Sequence, residues 1–129
     1  MSGKYLLDTS IAIDLLRGAS AIRERFAGAS GVCIASAVLG ELLFGAQRSS
    51  KPLQNVAEIE EFLADCSVVV CDENTARVYA RVKAGLASKG KPIPENDIWI
   101  AASAIQHDLI LAARDAHFRW IDGLAIEQW

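Results

Sequence analysis

The chain reads as an α/β protein, a three-layer α/β/α sandwich around a central, mainly parallel sheet of four or five strands, and two observations lead to that reading. Short apolar runs alternate with longer helical patterns along all 129 residues, as βα units joined by crossovers do. Several of the helical patterns run to a glycine, at Gly18, Gly28 and Gly45, the residue expected just beyond a helix C-terminus.

The elements follow in order. "YLL" before Asp8 is the first strand; "SIAIDLLRG" and "SAIRERFAG" are helices closing at Gly18 and Gly28. "VCIA" after Gly31 is a second strand, and "AVLGELLFG" is a helix closing at Gly45. That helix is apolar nearly all round, with Glu41 as its only ionisable residue. A helix without a polar face is expected to be buried, and a buried carboxylate needs a partner. "LQNVAEIEEFLADC" places Leu53, Val56, Ile59, Phe62 and Leu63 at helical spacing, and "SVVV" before Cys71 is a third strand. Asp72 is expected to cap "ENTARVYARVKAGLASKG", whose Val78, Tyr79, Val82 and Leu86 form an apolar stripe. "KGKPIPEN" is a loop that delivers Asn96 as the cap of "DIWIAASAIQHD". "LILA" from Leu109 is a fourth strand and "LAIEQW" a short fifth. No repeat or linker interrupts this order, so residues 1–129 are expected to form a single domain.

Composition narrows the function. With 52% hydrophobic and 22% charged residues the chain is globular, and no apolar run reaches the ~18 residues needed to span a bilayer. The N-terminus "MSGKYLLDTS" lacks a signal-peptide hydrophobic region, so a cytoplasmic location without membrane contact is expected. Cys33, Cys66 and Cys71 are odd in number and show no C-x-x-C spacing, which argues against zinc and a disulfide framework and for buried free thiols. A net charge of −3 disfavours nucleic-acid binding by bulk electrostatics, so a phosphate-bearing partner needs local attraction.

Ligands of parallel α/β folds collect at the carboxyl ends of the strands, and four acids are expected there. Asp8 directly follows the first strand, and Asp115 lies just beyond "LILAA". Asp97 opens a helix that carries no further formal charge until Asp108, and Glu41 lies on the helix after the second strand. Four crowded carboxylates stay ionised only if positive charge is supplied, and their own segments offer only Arg114. Hard oxygen donors without His or Cys suit Mg²⁺ or Mn²⁺, ions that bind alongside substrate phosphates and activate water for attack on a phosphodiester. Ser10 is the supporting candidate beside Asp8, with Thr9 a second neighbour. Singly, each acid has a structural explanation as a cap, a helix-dipole partner, a loop residue or an ion-pair member. Asp14 is expected to face solvent, Asp72 to cap a helix and Asp108 to lie at the opposite edge, so all three stand outside the site.

Other chemistries fit less well. His107 and His117 flank a strand of ~5 residues that would hold them about 16 Å apart, too far for joint acid–base work, and His117 is read as a surface residue. There is no G-x-S-x-G, P-loop or G-x-G-x-x-G motif, nor the D-x-D of an aspartyl-phosphate phosphatase. Arg77 and Arg81 share a helical face near Lys83, Lys89 and Lys91, which reads as solvated surface in preference to a track for an RNA backbone. Phe44, Trp99 and Phe118 read as core or dimer interface.

With these residues in place the chain resembles the PIN-domain family, in particular its VapC-type toxins. The resemblance runs nearly end to end, through "LLDTSIAIDLLRG", "GELLFGA", "PIPENDIWIAASA" and "LAARDAHFRWIDGLAIEQW". It implies that Asp8, Glu41, Asp97 and Asp115 form a catalytic acidic tetrad binding Mg²⁺ or Mn²⁺, with Ser10 at a small polar position. It also implies metal-dependent endoribonuclease activity leaving a 5′-phosphate and a 3′-hydroxyl, a homodimer, and a cognate antitoxin protein that fills the groove. The chain departs from the family at Ala113, where Thr is common. A toxin ribonuclease is thus the leading expectation; the alternatives are a non-catalytic PIN-like module that binds RNA or protein, and a metal phosphatase acting on small phosphoesters.

Overall fold

A computed structural model describes residues 4–129; Met1–Gly3, with which the N-terminal reading begins, lie outside that range. Five strands, β1 (Lys4–Leu7), β2 (Gly31–Ala35), β3 (Ser67–Val69), β4 (Ile110–Ala113) and β5 (Ile126–Gln128), form one sheet in the order β3-β2-β1-β4-β5. Every neighbouring pair is parallel; Tyr5 lies opposite both Val32 and Ile110, and Leu6 opposite both Cys33 and Leu111. The apolar runs therefore predict the strands, with small shifts: β3 stops before Val70, and β4 lies one residue later than "LILA".

The helices are α1 (Thr9–Leu16), α2 (Ser20–Gly28), α3 (Ser36–Gln47), α4 (Pro52–Leu63), α5 (Glu73–Lys89) and α6 (Glu95–Gln106), with a 3-10 helix at Ala116–Trp120. From β1 to β3 the chain steps one way across the sheet; from β3 to β4 it crosses back over β1. Right-handed crossovers then put α1–α4 on one face and α5–α6 on the other. The central strands are buried on both sides: Leu6, Leu7, Ile34, Leu111 and Ala112 have essentially no exposure, and Ile11, Val38, Ile100 and Phe118 close over them. Among the described residues no helix is long and apolar enough to cross a membrane.

Helix ends separate local from tertiary control. Gly18 (φ +86°) and Gly90 (φ +65°) adopt the left-handed conformation that stops α1 and α5. Gly45 lies inside α3, which continues to Gln47, and α2 runs through Gly28 to an extended Ala29. A glycine inside a helix is about 1 kcal/mol worse than alanine, and packing outweighs that in α3 because the last turn buries Ala46 beside Leu42. Asn96 is not the cap of α6: the helix starts at Glu95, directly after Pro94, whose carbonyl accepts from the N–H of Ile98 at 3.2 Å. The fixed φ of proline sets the helix entry one residue ahead of Asn96.

Three further expectations are corrected. α3 is not buried all round: Phe44 is 61% exposed, with the Arg48 guanidinium 5.4 Å from its ring centre. Cys71 is exposed and Cys66 half-buried because they flank β3, an edge strand, and Cys33 on the neighbouring β2 is half-buried; all three are free thiols. Asp14 is half-buried and ion-paired to Arg114, which reaches it from beyond β4.

Asp72 caps α5 as expected. Its side chain accepts from the Thr75 N–H at 3.0 Å while the Asp72 N–H donates to the Thr75 hydroxyl, also at 3.0 Å. Thr75 has no exposure and its hydroxyl also donates to Gln106 of α6, tying the start of α5 to the end of α6. Thr75→Val keeps the volume and the Thr75 N–H bond to Asp72 but removes the bonds made by the hydroxyl, to the Asp72 N–H and to Gln106, so urea unfolding should show a loss of about 1–2 kcal/mol.

Candidate active site

The strand order reverses between β1 and β4, and such switch points open a crevice beyond the carboxyl ends of the strands. Asp8 is the first residue past β1, and its N–H donates to the Ala112 carbonyl at 3.0 Å, continuing the β1–β4 ladder by one bond. Its backbone is thereby fixed, and its side chain is only 7% exposed. Asp115 lies two residues past β4, Asp97 is in the first turn of α6, and Glu41 is in the second turn of α3.

Contacts link these acids in a line. The Thr9 hydroxyl donates to Glu41 Oε1 at 3.1 Å, and the Ser10 hydroxyl reaches Asp8 Oδ2 at 3.4 Å. Asp8 feels the charges of both Asp97 and Glu41. The His117 ring then bridges Asp97 and Asp115, with Nε2 2.8 Å from Asp97 Oδ2 and Nδ1 3.5 Å from Asp115 Oδ1. Despite that short distance Nε2 makes no well-directed hydrogen bond and is a buried polar atom without a hydrogen-bond partner. Its contact with Asp97 is electrostatic, and full only when the ring is protonated.

Burial and mutual repulsion shift the carboxyls. Burial pushes the Asp8 carboxyl up from its ordinary 3.8 to about 6; Asp97 and Glu41 add to the rise, while the Thr9 N–H and Ser10 hydroxyl oppose it. Asp97 is also held above the ordinary range, first by burial and then by Asp115, against the pull of His117. Arg114, the one cation in these segments, is turned away: it pairs with Asp14 and donates from Nε to the Trp129 carbonyl at 3.3 Å. No lysine or arginine forms an ion pair with Asp8, Glu41, Asp97 or Asp115 among the described residues.

The donor set fits a hard divalent cation. It consists of carboxylate oxygens in negative excess, with hydroxyls beside them. No three of the His, Cys, Asp or Glu side chains among the described residues are gathered closely enough to enclose an ion by themselves. Mg²⁺ keeps several waters and takes one or two carboxylates together with substrate phosphates, so an ion held here would need oxygens beyond the protein's own to complete its shell.

The sequence reading brings the four acids to one edge, and the structure places them there; it missed His117, read as a surface residue. Asp115 and His117 are two apart, a spacing that does not fix where a loop side chain points. The 3-10 turn that starts at Ala116 swings the ring back onto Asp97. The spacing of His117 after Asp115, immediately before a short apolar-aromatic turn, was the available signal.

An acid whose folded pKa is raised stabilises the fold only while protonated. For Asp8 that contribution is present below 3.8 and lost as pH rises through about 6. In metal-free protein, Asp8→Asn should therefore raise stability by about 2 kcal/mol at pH 8, and the gain should vanish near pH 4, as measured by denaturant unfolding in EDTA.

Comparison with known proteins agrees with this arrangement. Residues 5–124 match the PIN domain family. The chain is 37% identical to a protein named ribonuclease VapC2 of Haemophilus influenzae, over 98% of each chain. It is 36% identical to a protein of Shigella flexneri named tRNA(fMet)-specific endonuclease VapC, again over 98% of each. The crystal structure of DNA-bound VapBC from Salmonella typhimurium superposes with a TM-score of 0.92 at 35% identity, covering all of this chain and 99% of the other. Shared fold, full-length similarity and the acids at the switch point together make this chain a member of the PIN domain family, in its VapC branch.

Proposed function

We propose that the protein is a metal-dependent endoribonuclease, the toxin of a toxin–antitoxin pair, acting in the cytoplasm where RNA is found. The observation that carries the reading is the line of four acids, joined through Thr9 and His117, with no arginine or lysine ion-paired to it among the described residues. Ribonuclease names among full-length relatives support RNA as the substrate class, and transfer RNA is the first substrate to test. A non-catalytic module would have no use for an acid pushed up by burial beside two other acids, and nothing in the relatives' names supports it.

Asp8 and Asp97 are the central metal-binding candidates, with Glu41 and Asp115 flanking them. A bound Mg²⁺ or Mn²⁺ supplies Lewis acidity toward the phosphoryl oxygens and lowers the pKa of attacking water. The chain's own residues prepare that chemistry. Asp8 and Asp97 set the local negative charge, Thr9 fixes the Glu41 carboxylate and Ser10 orients Asp8. His117 holds the Asp97 and Asp115 side chains toward each other.

A homodimer and a cognate antitoxin belong to the same reading. Membership in the VapC branch supports the antitoxin, and the groove lined by Ile13, Leu16, Arg17, Glu41 and Leu42 is the cleft next to the acids that such a chain would occupy.

Purified, partner-free protein should cut transfer RNA into discrete fragments with Mg²⁺ or Mn²⁺, and EDTA should stop it. Asp97→Asn should lower cleavage at least about a hundredfold while leaving the fold intact by circular dichroism. Intact RNA across bulk transfer, ribosomal and messenger fractions would refute the reading. Release of inorganic phosphate from small monoesters would instead favour a phosphatase.

A further inference from the structure

The basic residues near the end of α5 do not form a uniform solvated face. Arg77 pairs with Glu73, Lys83 with Glu95 at 2.5 Å, and Lys89 with Asp122 at 2.8 Å. Lys91, in the loop between α5 and α6, and Arg119, in the 3-10 helix, form no ion pair among the described residues. Both are instead drawn to one indole: Lys91 Nζ is 4.3 Å and the Arg119 guanidinium carbon 5.3 Å from the Trp120 ring centre. Lys89 fixes the Trp120 backbone by donating to its carbonyl at 2.8 Å. The indole borders a cleft of about 280 Å³ that Arg81, which also forms no ion pair among the described residues, lines from α5.

We infer that Lys91, Arg119 and Trp120 form a binding strip for the RNA backbone beside the acidic site, holding phosphates that flank the one to be cut. The inference rests on the ribonuclease reading above. Three arguments carry it. First, in a chain of net charge −3, two exposed cations without carboxylate partners are a local positive field, and such a field attracts phosphates. Second, the strip is built on the elements that carry the site. Lys91 lies six residues before Asp97, and the 3-10 helix that presents Arg119 and Trp120 also presents His117. Side chains three apart in a 3-10 helix eclipse, so His117 and Trp120 share a face, about 6 Å apart along its axis. Third, the acids repel a polyanion everywhere except where a cation is bound, so an RNA strand needs a neighbouring positive foothold to stay in register. The cation–indole contacts supply rigidity: they hold two long side chains in place before RNA arrives. Lys91 and Arg119 are positioning residues in this account, since neither touches the acids.

The test pairs Lys91→Ala/Arg119→Ala with Arg77→Ala, a control that removes a cation already satisfied by Glu73 on the same protein. Binding of a fluorescein-labelled single-stranded RNA is measured in EDTA, so that no cleavage interferes, across a salt series. The double variant should bind at least about tenfold more weakly at low salt, and its log K against log salt slope should fall by about 1.4, that is two contacts at about 0.7 each. With Mg²⁺ its KM for transfer RNA should rise while kcat stays within about twofold. Lys91→Arg should restore most of the binding, and Arg77→Ala should change neither quantity. Parent-like affinity and slope in the double variant would overturn the strip, as would an equal loss in Arg77→Ala, or loss of a protein partner with RNA binding intact. The two readings fail separately: RNA binding through the strip without any cleavage would refute the ribonuclease, while cleavage with parent-like binding in the double variant would refute the strip.

Discussion

Repulsion among carboxylates that the backbone forces together is the constraint around which this structure is arranged. Asp8 cannot move away, because its N–H is bonded to Ala112 and the residues before it, Leu6 and Leu7, are buried without exposure in the sheet. Asp97 approaches from the first turn of α6, where the helix dipole favours an acid. The fold therefore holds these acids in a half-dry crevice, where burial first, and then the charges of Asp97 and Glu41, push the Asp8 carboxyl up to about 6. Such a site works against folding, a cost that functional sites commonly carry.

What the protein does with its cations follows from the same constraint. An arginine salt-bridged to the acids would relieve the repulsion and remove the attraction for a divalent ion. Arg114 sits one residue before Asp115 and is diverted to Asp14 and the Trp129 carbonyl. That pairing also ties the end of the chain and α1 to the segment leaving β4. Among the described residues His117 is left as the basic group in ion-pair reach of the acids, and an imidazole carries a full charge only when protonated.

The remaining positive charge is distributed with equal economy. On α5 Arg77, Lys83 and Lys89 are each paired with a carboxylate, while Lys91 in the loop that follows and Arg119 in the 3-10 helix converge on Trp120. A protein with a modest negative net charge can in this way gather its acids and some of its unpaired cations in separate clusters. The fold supports both because β4 and the α5–α6 loop deliver their chain ends to the same side.

The sequence alone determined the strands, most helices and the four acids, because their signals are local. Apolar runs between amphipathic stretches report burial on both faces of a parallel sheet, Asp72 ahead of an amphipathic stretch reports a helix N-cap, and an acid directly after a strand reports its edge. Tertiary structure decided what depends on long-range packing or on the direction of a side chain. Gly45 stays helical because Leu42 and Ala46 are buried, and Arg114 leaves its neighbouring acid because Asp14 arrives from a distant helix. His117 turns inward because the 3-10 helix rotates it onto Asp97, and Trp120 collects two cations from separate segments. Residue spacing fixes which face of a regular element a side chain occupies; in loops and single turns only the surrounding packing does.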